Sequence, residues 1–544
     1  MASSQVKEIS EHSGESDTFD AQGALSRAFL LRRGYCCENG CRNCPYGFKK
    51  PALARTIMIQ GTASHVGKSV LTAAICAWLR QQGFRVAPFK ALNMALNSAV
   101  TSDGLEISRS VAFQAEVSGA EPVAQMNPIL LKPTSERGSQ VIALGKPLGY
   151  RSSGGREDFK EWALPIISES LTWLRERYEI VVMEGAGSAA EVNLRDTDVA
   201  NMRAAALGDA PVLLVGDIDR GGVFAALYGT IALLPEEHRS RVKGIVVNKF
   251  RGDPGLFQSG VEAIEDLCQV PVLGVLPYLH NLAIPEEDAV SLETAQDSSA
   301  SSHQADIVVV HLPHISNFTD FDMLQTDPDL NIRYVQRTAD WGSPDLVILP
   351  GTKSTMSDLK WLREQGLAQL VVEHAHGGKR VLGLCGGYQM LGRRIQDPEA
   401  VESEAADVLG LGLLDIETLF DPGKSVRQVA GIGVAGWLKG AAVSGYEIHH
   451  GVSVILEGAQ SLLELSGSVT EVSRVDGAID PTGQITGCYL HGLFDTPQVR
   501  SSLRTYLGLP ASVEDESLNH CNRLANWLEN NVDTSRLLRI ILES

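Results

Sequence analysis

The chain has 544 residues, of which 44% are hydrophobic and 21% charged, proportions typical of a folded globular protein rather than a disordered or fibrous one. At roughly 100–200 residues per domain, this length predicts two to four units. The net charge of -19 argues against a nucleic-acid partner. No secretory signal and no apolar run of about 20 residues is evident, so we expect no membrane contact and a cytoplasmic location.

The first 52 residues are predicted to form a mobile acidic tail followed by a small cysteine-rich module. Its cysteines are Cys36, Cys37, Cys41 and Cys44. Thiolates this close together can ligate zinc or an iron–sulfur cluster, but only the last two have ordinary Cys-x-x-Cys spacing. A zinc site, an iron–sulfur cluster and a redox or purely structural role all stay open for this module.

Between residues 53 and 293, short apolar strands alternate with amphipathic helices, which predicts an α/β domain with a parallel sheet. The predicted strands lie at 56–60, 84–90, 178–184, 210–217 and 242–250. In an open parallel sheet, ligands bind at the carboxyl ends of the strands. Candidate ligand-binding residues are therefore sought where each of these strands ends.

A glycine-rich loop, GTASHVGKS, joins the first predicted strand to the next helix and runs from Gly61 to Ser69. Backbone N–H groups of such a loop, together with the helix N-terminus, can hold phosphate oxygens. Five residues separate the first glycine from the Gly-Lys pair, where the usual phosphate loop has about four. The longer loop resembles that of dethiobiotin synthetase and its relatives, a P-loop variant that phosphorylates carboxylates.

The loop and nearby strand ends supply the candidate ATP-binding and magnesium-binding residues. Lys68 is predicted to reach the terminal phosphates, and Lys90 to neutralise phosphate or a carboxylate, although a surface position for Lys90 stays open. The other candidates for nucleotide binding are Gly61, Thr62, Gly67 and Ser69. The candidate magnesium ligands are Ser69, Asp103 and Glu184, and a solvated loop carboxylate is the alternative for Glu184.

Residues 294–304 have the small, polar composition of a linker, and a second alternation of strands and helices follows at 305–507. There an apolar stretch leads into Cys385, which is flanked by glycines and followed by a predicted helix. Such an elbow exposes the thiol at the edge of the sheet, and a helix N-terminus favours the thiolate. Backbone N–H groups of Gly386 and of the loop at Gly351 form the predicted oxyanion hole.

A cysteine nucleophile needs a base, and His491, after another short apolar strand, is the predicted one, with His449 and His450 as alternatives. The pattern Gly-x-Cys-x-Gly-x-Gln with a later His resembles the class I glutamine amidotransferases, which hydrolyse glutamine through a thioester. Most of these have a Glu two residues after the His, where this chain has Leu493. The orienting carboxylate is therefore absent or comes from elsewhere, and Asp495 is not assigned that role.

Motifs in both halves together resemble the cobyric acid synthases over about residues 56–507. They include PFKALNMALNSAVTSDGLEISR, MNPILLKP, EGAGS, DIDRGGVFA, NKFRGD, HISNFTDFD, PGTKST, GLCGGYQ, GYEIHHG and YLHGLFD. The fold class expected is a P-loop, dethiobiotin-synthetase-like parallel-sheet domain followed by a class I glutamine amidotransferase domain of flavodoxin-like α/β fold, with terminal helices at 508–544. The resemblance also implies that NKFRGD, which starts at Asn248, lies near the nucleotide base, and that GYEIHHG receives the corrin or couples the domains.

The resemblance implies amidation of carboxylates b, d, e and g of an adenosylated cobyrinic acid a,c-diamide. ATP, magnesium, glutamine and a corrinoid are then the expected ligands. Transfer of the γ-phosphoryl group to a carboxylate would give an acyl phosphate that ammonia can displace. Two alternatives stay open: a cobyrinic acid a,c-diamide synthase, which amidates other carboxylates, and a P-loop regulatory ATPase, which leaves Cys385 and His491 unexplained.

Overall fold

The structure is a computed structural model, and it describes residues 20, 22, 24–33, 42–46, 53–135, 138–152, 156–279, 303–402, 407–466, 473–511 and 517–543. The chain divides into two compact units, Met1–Ala54 and Arg55–Ser544. Both predicted α/β domains lie in the second unit. The predicted linker at 294–304 falls almost entirely outside the described residues, so that boundary stays a prediction.

The first unit contains α1 (Arg27–Arg33), and the Asp20 carboxylate accepts a hydrogen bond from Arg42 at 2.5 Å. Cys44 is partly buried. Three of the predicted cluster cysteines lie outside the described residues: Cys36, Cys37 and Cys41. The predicted zinc or iron–sulfur site therefore stays a prediction.

The first α/β domain starts with β1 (Arg55–Gly61), α2 (Lys68–Gln81) and β2 (Val86–Phe89). The chain then leaves the main sheet and builds an insertion that the sequence analysis did not anticipate. It contains β3 (Leu92–Met94), β4 (Ser98–Val100), β5 (Glu106–Ser108), α3 (Arg109–Ser118), β6 (Ile129–Ser135), β7 (Gly138–Ala143) and β8 (Lys146–Ser152). Strands β4 and β5 form an antiparallel hairpin, and β3, β6, β7 and β8 pair in that order.

The rest of this domain returns to alternating strands and helices. It contains α4 (Arg156–Arg175), β9 (Ile180–Glu184), α5 (Met202–Gly208), β10 (Val212–Asp217), α6 (Val223–Leu233), α7 (Glu236–Arg239), β11 (Val242–Phe250), α8 (Gln258–Cys268) and β12 (Val272–Pro277). In the described part of the chain, the main sheet has the order β12-β11-β10-β1-β9-β2 and all its pairs are parallel. The predicted parallel sheet is therefore confirmed.

The second α/β domain has a parallel core that is extended by antiparallel strands. Its elements are β13 (Ala305–Val310), α9 (Asp322–Gln325), β14 (Leu330–Val335), β15 (Leu346–Leu349), α10 (Thr355–Glu364), α11 (Leu367–His376), β16 (Arg380–Leu384), α12 (Gly386–Leu391), β17 (Arg394–Gln396), β18 (Asp407–Leu409), β19 (Ile416–Gly433), β20 (Ala442–Ile455), β21 (Gln460–Ser466), β22 (Arg474–Ile479), β23 (Ile485–Cys488) and α13 (Pro497–Tyr506). Strands β14-β13-β15-β16-β23 are parallel, and β22, β21, β19 and β20 continue the sheet in antiparallel pairs.

Two C-terminal helices, α14 (Ser517–Asn531) and α15 (Thr534–Glu543), pack onto the first domain. Leu528 and Ile541 are fully buried in the same core as Ile57 of β1. An amphipathic helix must cover its apolar face, and these helices cover theirs against α2 and the sheet. The sequence predicts these helices but not the surface that they pack against. No helix among the described stretches has the length and apolar character needed to cross a membrane.

Candidate functional site

The glycine-rich loop between β1 and α2 closes around its lysine. Lys68 is buried, and its ammonium group donates to the carbonyl oxygens of Ala63 at 2.9 Å and Gly187 at 2.8 Å. Gly67 has φ 98°, a conformation that favours glycine. A β-carbon at Gly67 would also lie 2.1 Å from the side-chain nitrogen of Asn248. The loop therefore needs glycine at this position, next to the lysine that is predicted to hold phosphate.

Neighbouring strands hold the backbone of this loop. The Thr62 N–H donates to the carbonyl oxygen of Val215 on β10 at 3.0 Å. Asn248, on β11, donates from Nδ2 to the carbonyl oxygen of Val66 at 2.9 Å. At Gly61, a β-carbon would lie 2.7 Å from a methyl group of Val66. The structure thus brings the predicted residues Gly61, Thr62 and Asn248 to the loop, while a role of Asn248 at the nucleotide base stays a prediction.

Glu184, at the end of β9, accepts hydrogen bonds from three side chains near the loop. Its carboxylate is buried and accepts hydrogen bonds from the Ser69 hydroxyl (2.8 Å), the Lys90 ammonium group (2.8 Å) and the Gln114 amide (2.6 Å). An unpaired carboxylate at this depth would be strongly destabilising, so these partners offset its burial. The surface alternative for Lys90 and the solvated alternative for Glu184 are both wrong.

Ser69 and Glu184 fit a magnesium ion of the kind that nucleotide-binding sites use. Magnesium commonly takes one or two protein oxygens and completes its shell with phosphates and water. Within the described ranges, no three His, Cys, Asp or Glu side chains converge as they would in a metal site made from protein alone. The Ser69 and Glu184 oxygens would suit a magnesium ion bound together with nucleotide phosphates, and that ion stays a prediction.

Asp103 does not join this group. It accepts a hydrogen bond from the Thr101 hydroxyl and lines a cavity of about 1130 Å³ between the insertion and strands β19 and β20. Among the residues that the structure describes, no hydrogen bond or ion pair connects Asp103 with Ser69 or Glu184. Asp103 lies between β4 and β5 of the insertion and not at the end of a strand of the main sheet. The role of Asp103 as a third magnesium ligand therefore stays a prediction.

Cys385 lies where β16 turns sharply into α12. Its backbone has φ 49° and ψ -109°, a strained conformation that is rare for a residue with a side chain. The thiol is buried, and its sulfur lies 3.7 Å from the carbonyl oxygen of Ile448. A β-carbon at Gly387 would lie 2.0 Å from the carbonyl oxygen of Leu349, so the small residue after the elbow is required by the approach of β15. The predicted nucleophile elbow is present.

His491 has an orienting carboxylate, Asp320, that the sequence analysis did not find. Its Nδ1 lies 2.7 Å from Asp320 Oδ2, and its Nε2 has no hydrogen-bond partner in the described part of the chain. Burial lowers the pKa of His491, but Asp320 and Cys385 together raise it to about 10. Asp320 also accepts the N–H of Gly492 at 2.9 Å, so it fixes both the ring and the backbone of the base.

His449 and His450 have other surroundings. The ring of His449 stacks on Tyr489 with centroids 3.8 Å apart. Burial, with help from Lys353 and Lys424, lowers the pKa of His450 to about 4. Both line the small cavity beside Cys385. His449 Nε2 also lies 4.0 Å from a carboxylate, that of Glu447, but the 2.7 Å contact of His491 with Asp320 is much closer, so His491 stays the predicted base.

The two loops predicted to form the oxyanion hole both reach the cysteine–histidine pair. A β-carbon at Gly351 would lie 2.9 Å from Cε1 of His491, and one at Gly386 would lie 2.6 Å from the Thr352 methyl group. A cavity of about 50 Å³ opens beside them and is lined by Cys385. The structure brings Gly351 and Gly386 together at the site, and their function as oxyanion donors stays a prediction.

A phosphate loop and a cysteine–histidine–aspartate site in one compact unit are the parts of a glutamine-hydrolysing ligase. Residues 57–292 match the family model of the CobQ/CobB/MinD/ParA nucleotide binding domain. Residues 306–499 match that of the CobB/CobQ-like glutamine amidotransferase domain. Residues 17–50 match a family of unknown function, DUF5522. The class and the order of its two domains are those predicted.

Named relatives identify the family within this class. The chain is 45% identical to "Cobyric acid synthase" of Listeria monocytogenes serotype 4b over 500 residues, which covers 90% of this chain and 97% of the relative. It is 46% identical to "Cobyric acid synthase" of Moorella thermoacetica over 506 residues, with 90% and 98% covered. It is 45% identical to the Yersinia enterocolitica protein of that name over 504 residues. The chain belongs to the cobyric acid synthase family.

Proposed function

We propose that this protein amidates carboxylates of a corrinoid, using ATP to activate each carboxylate and glutamine as the nitrogen source. The proposed acceptor is adenosylated cobyrinic acid a,c-diamide, and the proposed positions are b, d, e and g. The observation that carries the proposal is that one compact unit holds both a phosphate loop with the Ser69–Glu184 pair and a Cys385–His491–Asp320 site. One site can activate an acid and the other can release ammonia.

At the second site, the Cys385 thiolate attacks the side-chain carbonyl carbon of glutamine. The backbone N–H groups of Gly386 and the Gly351 loop hold the oxyanion that forms. His491 gives its proton to the departing nitrogen, so ammonia leaves and a thioester remains. Water then hydrolyses the thioester to glutamate, with His491 as the base. Asp320 keeps the imidazole oriented through both steps.

At the first site, a corrinoid carboxylate attacks the γ-phosphorus of ATP and ADP leaves. Lys68 and the loop N–H groups hold the terminal phosphates, and Lys90 offsets charge close to Glu184. Ser69 and Glu184 would hold magnesium, which supplies further charge neutralisation when it is bound. Ammonia then displaces phosphate from the acyl phosphate, which gives the amide.

Mass spectrometry of the products from two corrinoids tests the acceptor. The enzyme is given ATP, magnesium and glutamine with either cobyrinic acid or its adenosylated a,c-diamide. We expect amides to be added to the diamide and none to the undecorated acid. Addition of amides to the acid, with none to the diamide, would instead identify a cobyrinic acid a,c-diamide synthase.

A regulatory P-loop ATPase is the other class, and the same samples exclude or establish it. Such a protein would hydrolyse ATP without producing either glutamate or an amidated corrinoid. The Cys385–His491–Asp320 geometry would then have no use, whereas the proposed reaction uses all three side chains. Glutamate formed in step with amidated product therefore supports the ligase.

A further inference from the structure

The β4–β5 hairpin of the first domain ends against the turn that presents Asp320 in the second domain. The side-chain oxygen of Asn97 accepts the N–H of Phe318 at 3.1 Å, and that of Asn317 accepts the N–H of Ser98 at 3.0 Å. All four residues are buried. The carbonyl oxygen of Asn317 in turn accepts the N–H of Asp320 at 2.9 Å. The turn that carries the orienting carboxylate is thus held from the other domain.

The same segment also reaches the aromatic ring that covers His491. Tyr446 stacks on His491 with centroids 5.5 Å apart, and the two residues exchange backbone hydrogen bonds of 3.1 and 2.9 Å. Val100 of β4 packs in one buried cluster with Tyr446. Arg109, which follows β5, pairs with Asp495 at 3.4 Å, close to the turn after His491. This segment therefore contacts both Tyr446, which stacks on His491, and Asp495, which follows His491 in the chain.

A buried ion cluster fixes the hairpin between the domains. Glu106 of β5 is fully buried and accepts hydrogen bonds from the Ser98 hydroxyl (2.9 Å) and from Lys424 of the second domain (2.6 Å). Lys132 of the first domain pairs with the same carboxylate, and both lysines line the cavity beside Cys385. Because the two cations come from opposite domains, this arrangement exists only when the domains are docked.

The helix that continues from the hairpin contacts the phosphate-loop site. Gln114 of α3 donates to Glu184 at 2.6 Å, and Arg109 begins the same helix. One continuous stretch, residues 97–114, therefore touches the supports of His491 at one end and the carboxylate below the phosphate loop at the other.

We propose that residues 97–109 position His491 for glutamine hydrolysis, so that the cysteine site is fully competent only in the docked enzyme. Asn97 acts through the Asp320 turn, and Arg109 acts through the turn after His491. The inference rests on the proposed function, because it assigns these positioning residues to its ammonia-releasing half. It also gives a reason why so many polar groups are buried in one hairpin, because simple apolar packing between the domains would not need them.

Variants of the full chain test the positioning role. Asn97→Ala removes the acceptor for the Phe318 N–H, and Arg109→Met removes the cation facing Asp495. The matched control is Gln428→Leu, because the Gln428 side chain donates to the carbonyl oxygen of Val100 at 2.7 Å across the same interface instead of to the Asp320 turn or to Asp495, and the substitution keeps the backbone pairing with Tyr446. Arg109→Lys keeps the cation and serves as the conservative variant.

Three rates are measured for each variant: glutamate formation from glutamine, alkylation of Cys385 by 6-diazo-5-oxo-norleucine, and ammonium-driven amidation. We expect Asn97→Ala and Arg109→Met to lower kcat for glutamine hydrolysis about 10-fold and to slow alkylation in parallel. KM for glutamine and ammonium-driven amidation should change less than about 2-fold, as should all rates of Gln428→Leu and Arg109→Lys.

Equal losses in Gln428→Leu and Asn97→Ala would mean that the hairpin only docks the domains, and the positioning role would be overturned. Unchanged hydrolysis in both Asn97→Ala and Arg109→Met would overturn it as well. If Asn97→Ala fails to fold, Arg109→Met and Arg109→Lys decide the question, because the Arg109 side chain is partly exposed. A wild-type enzyme that forms neither glutamate nor amidated corrinoid would instead contradict the proposed function itself.

Discussion

In each α/β domain the site lies where a parallel strand ends. The residues that build the two sites come from different parts of the chain. Around Glu184, the hydrogen-bond partners Ser69, Lys90 and Gln114 all belong to the first domain. Around His491, the carboxylate comes from a residue 171 positions earlier, and the other domain holds its turn. The phosphate-loop site is built within one domain, whereas the cysteine–histidine site also depends on contacts from the other domain.

Substitution of the central residue of each site in turn has the largest expected effect. Cys385→Ser should lower glutamine-driven amidation about 10⁴-fold and leave ammonium-driven amidation within about 2-fold, because the first site needs only free ammonia. Lys68→Met should lower both about 10³-fold, because activation precedes either nitrogen source. Amidated corrinoid is measured by mass spectrometry with each nitrogen source.

The controls for this pair are Cys268→Ser and Lys243→Met. Cys268 lies on α8, away from the second site, and Lys243 is an exposed residue of β11. Neither should change amidation with either nitrogen source. Glutamine-driven amidation by Cys385→Ser at the wild-type rate would remove Cys385 from the reaction, and full ammonium-driven activity in Lys68→Met would remove Lys68 from phosphoryl transfer.

Asp320→Asn changes only the carboxylate that faces His491 and leaves Cys385 and His491 themselves in place. We expect glutamine hydrolysis to fall about 10²-fold, since an amide holds the wrong tautomer of His491 and no longer stabilises its imidazolium. Ammonium-driven amidation should be unaffected. The control is Asp327→Asn, whose carboxylate pairs with Arg504 instead of a histidine. A loss of hydrolysis below about 2-fold in Asp320→Asn would show that another group orients the base.

The same variant has a predicted pH signature in stability. The pKa of folded His491, about 10, lies above its ordinary value of 6.5, because Asp320 and Cys385 outweigh the opposing effect of burial. The protonated imidazole therefore contributes stability that is complete below about pH 6.5 and is lost as the pH rises through about 10. Thermal unfolding should show wild type more stable than Asp320→Asn at pH 6, with a difference that shrinks towards pH 10. A difference that grows with pH would contradict this assignment.

The smallest expected effect concerns the C-terminal helices. Leu528→Ala should lower the free energy of unfolding of the first domain by about 2–4 kcal/mol, because the side chain is fully buried against α2 and the sheet. Leu542→Ala, with 40% of its side chain exposed, is the control and should change it by less than about 0.5 kcal/mol. Urea unfolding followed by tryptophan fluorescence measures both, since Trp78 and Trp527 lie in this core. Equal shifts would mean that α14 is not part of the domain.

What could be predicted from the sequence follows the same division between local and distant parts. The phosphate loop and the Cys385 elbow each occupy a few consecutive residues between a strand and a helix, so their motifs were sufficient. The motif HISNFTDFD contains Asp320, but nothing in its local pattern indicates that this carboxylate faces His491. The partner of a side chain depends on how strands are ordered in the sheet, and spacing along the chain does not encode that order.

Asp103 and Lys90 show what a local sequence pattern does not predict about the position of a side chain. No clear periodic pattern in the sequence predicts the insertion that holds Asp103, and in the structure this residue lines a cavity of about 1130 Å³ between the insertion and strands β19 and β20. The sequence alone leaves Lys90 open between a surface position and a site position, and its burial depends on Glu184, which lies 94 positions later. Both outcomes are set by tertiary contacts that no window of the sequence contains.

The packing of α14 and α15 against β1 and α2 has a consequence for biosynthesis. The ribosome completes the first domain's sheet long before these helices emerge, and the whole second domain is made in between. During synthesis, part of the apolar surface of the first domain therefore stays uncovered until these helices are made. Chaperone dependence of this chain in the cell should fall in a circular permutant that places residues 517–543 ahead of β1, because the covering helices would then be synthesised first.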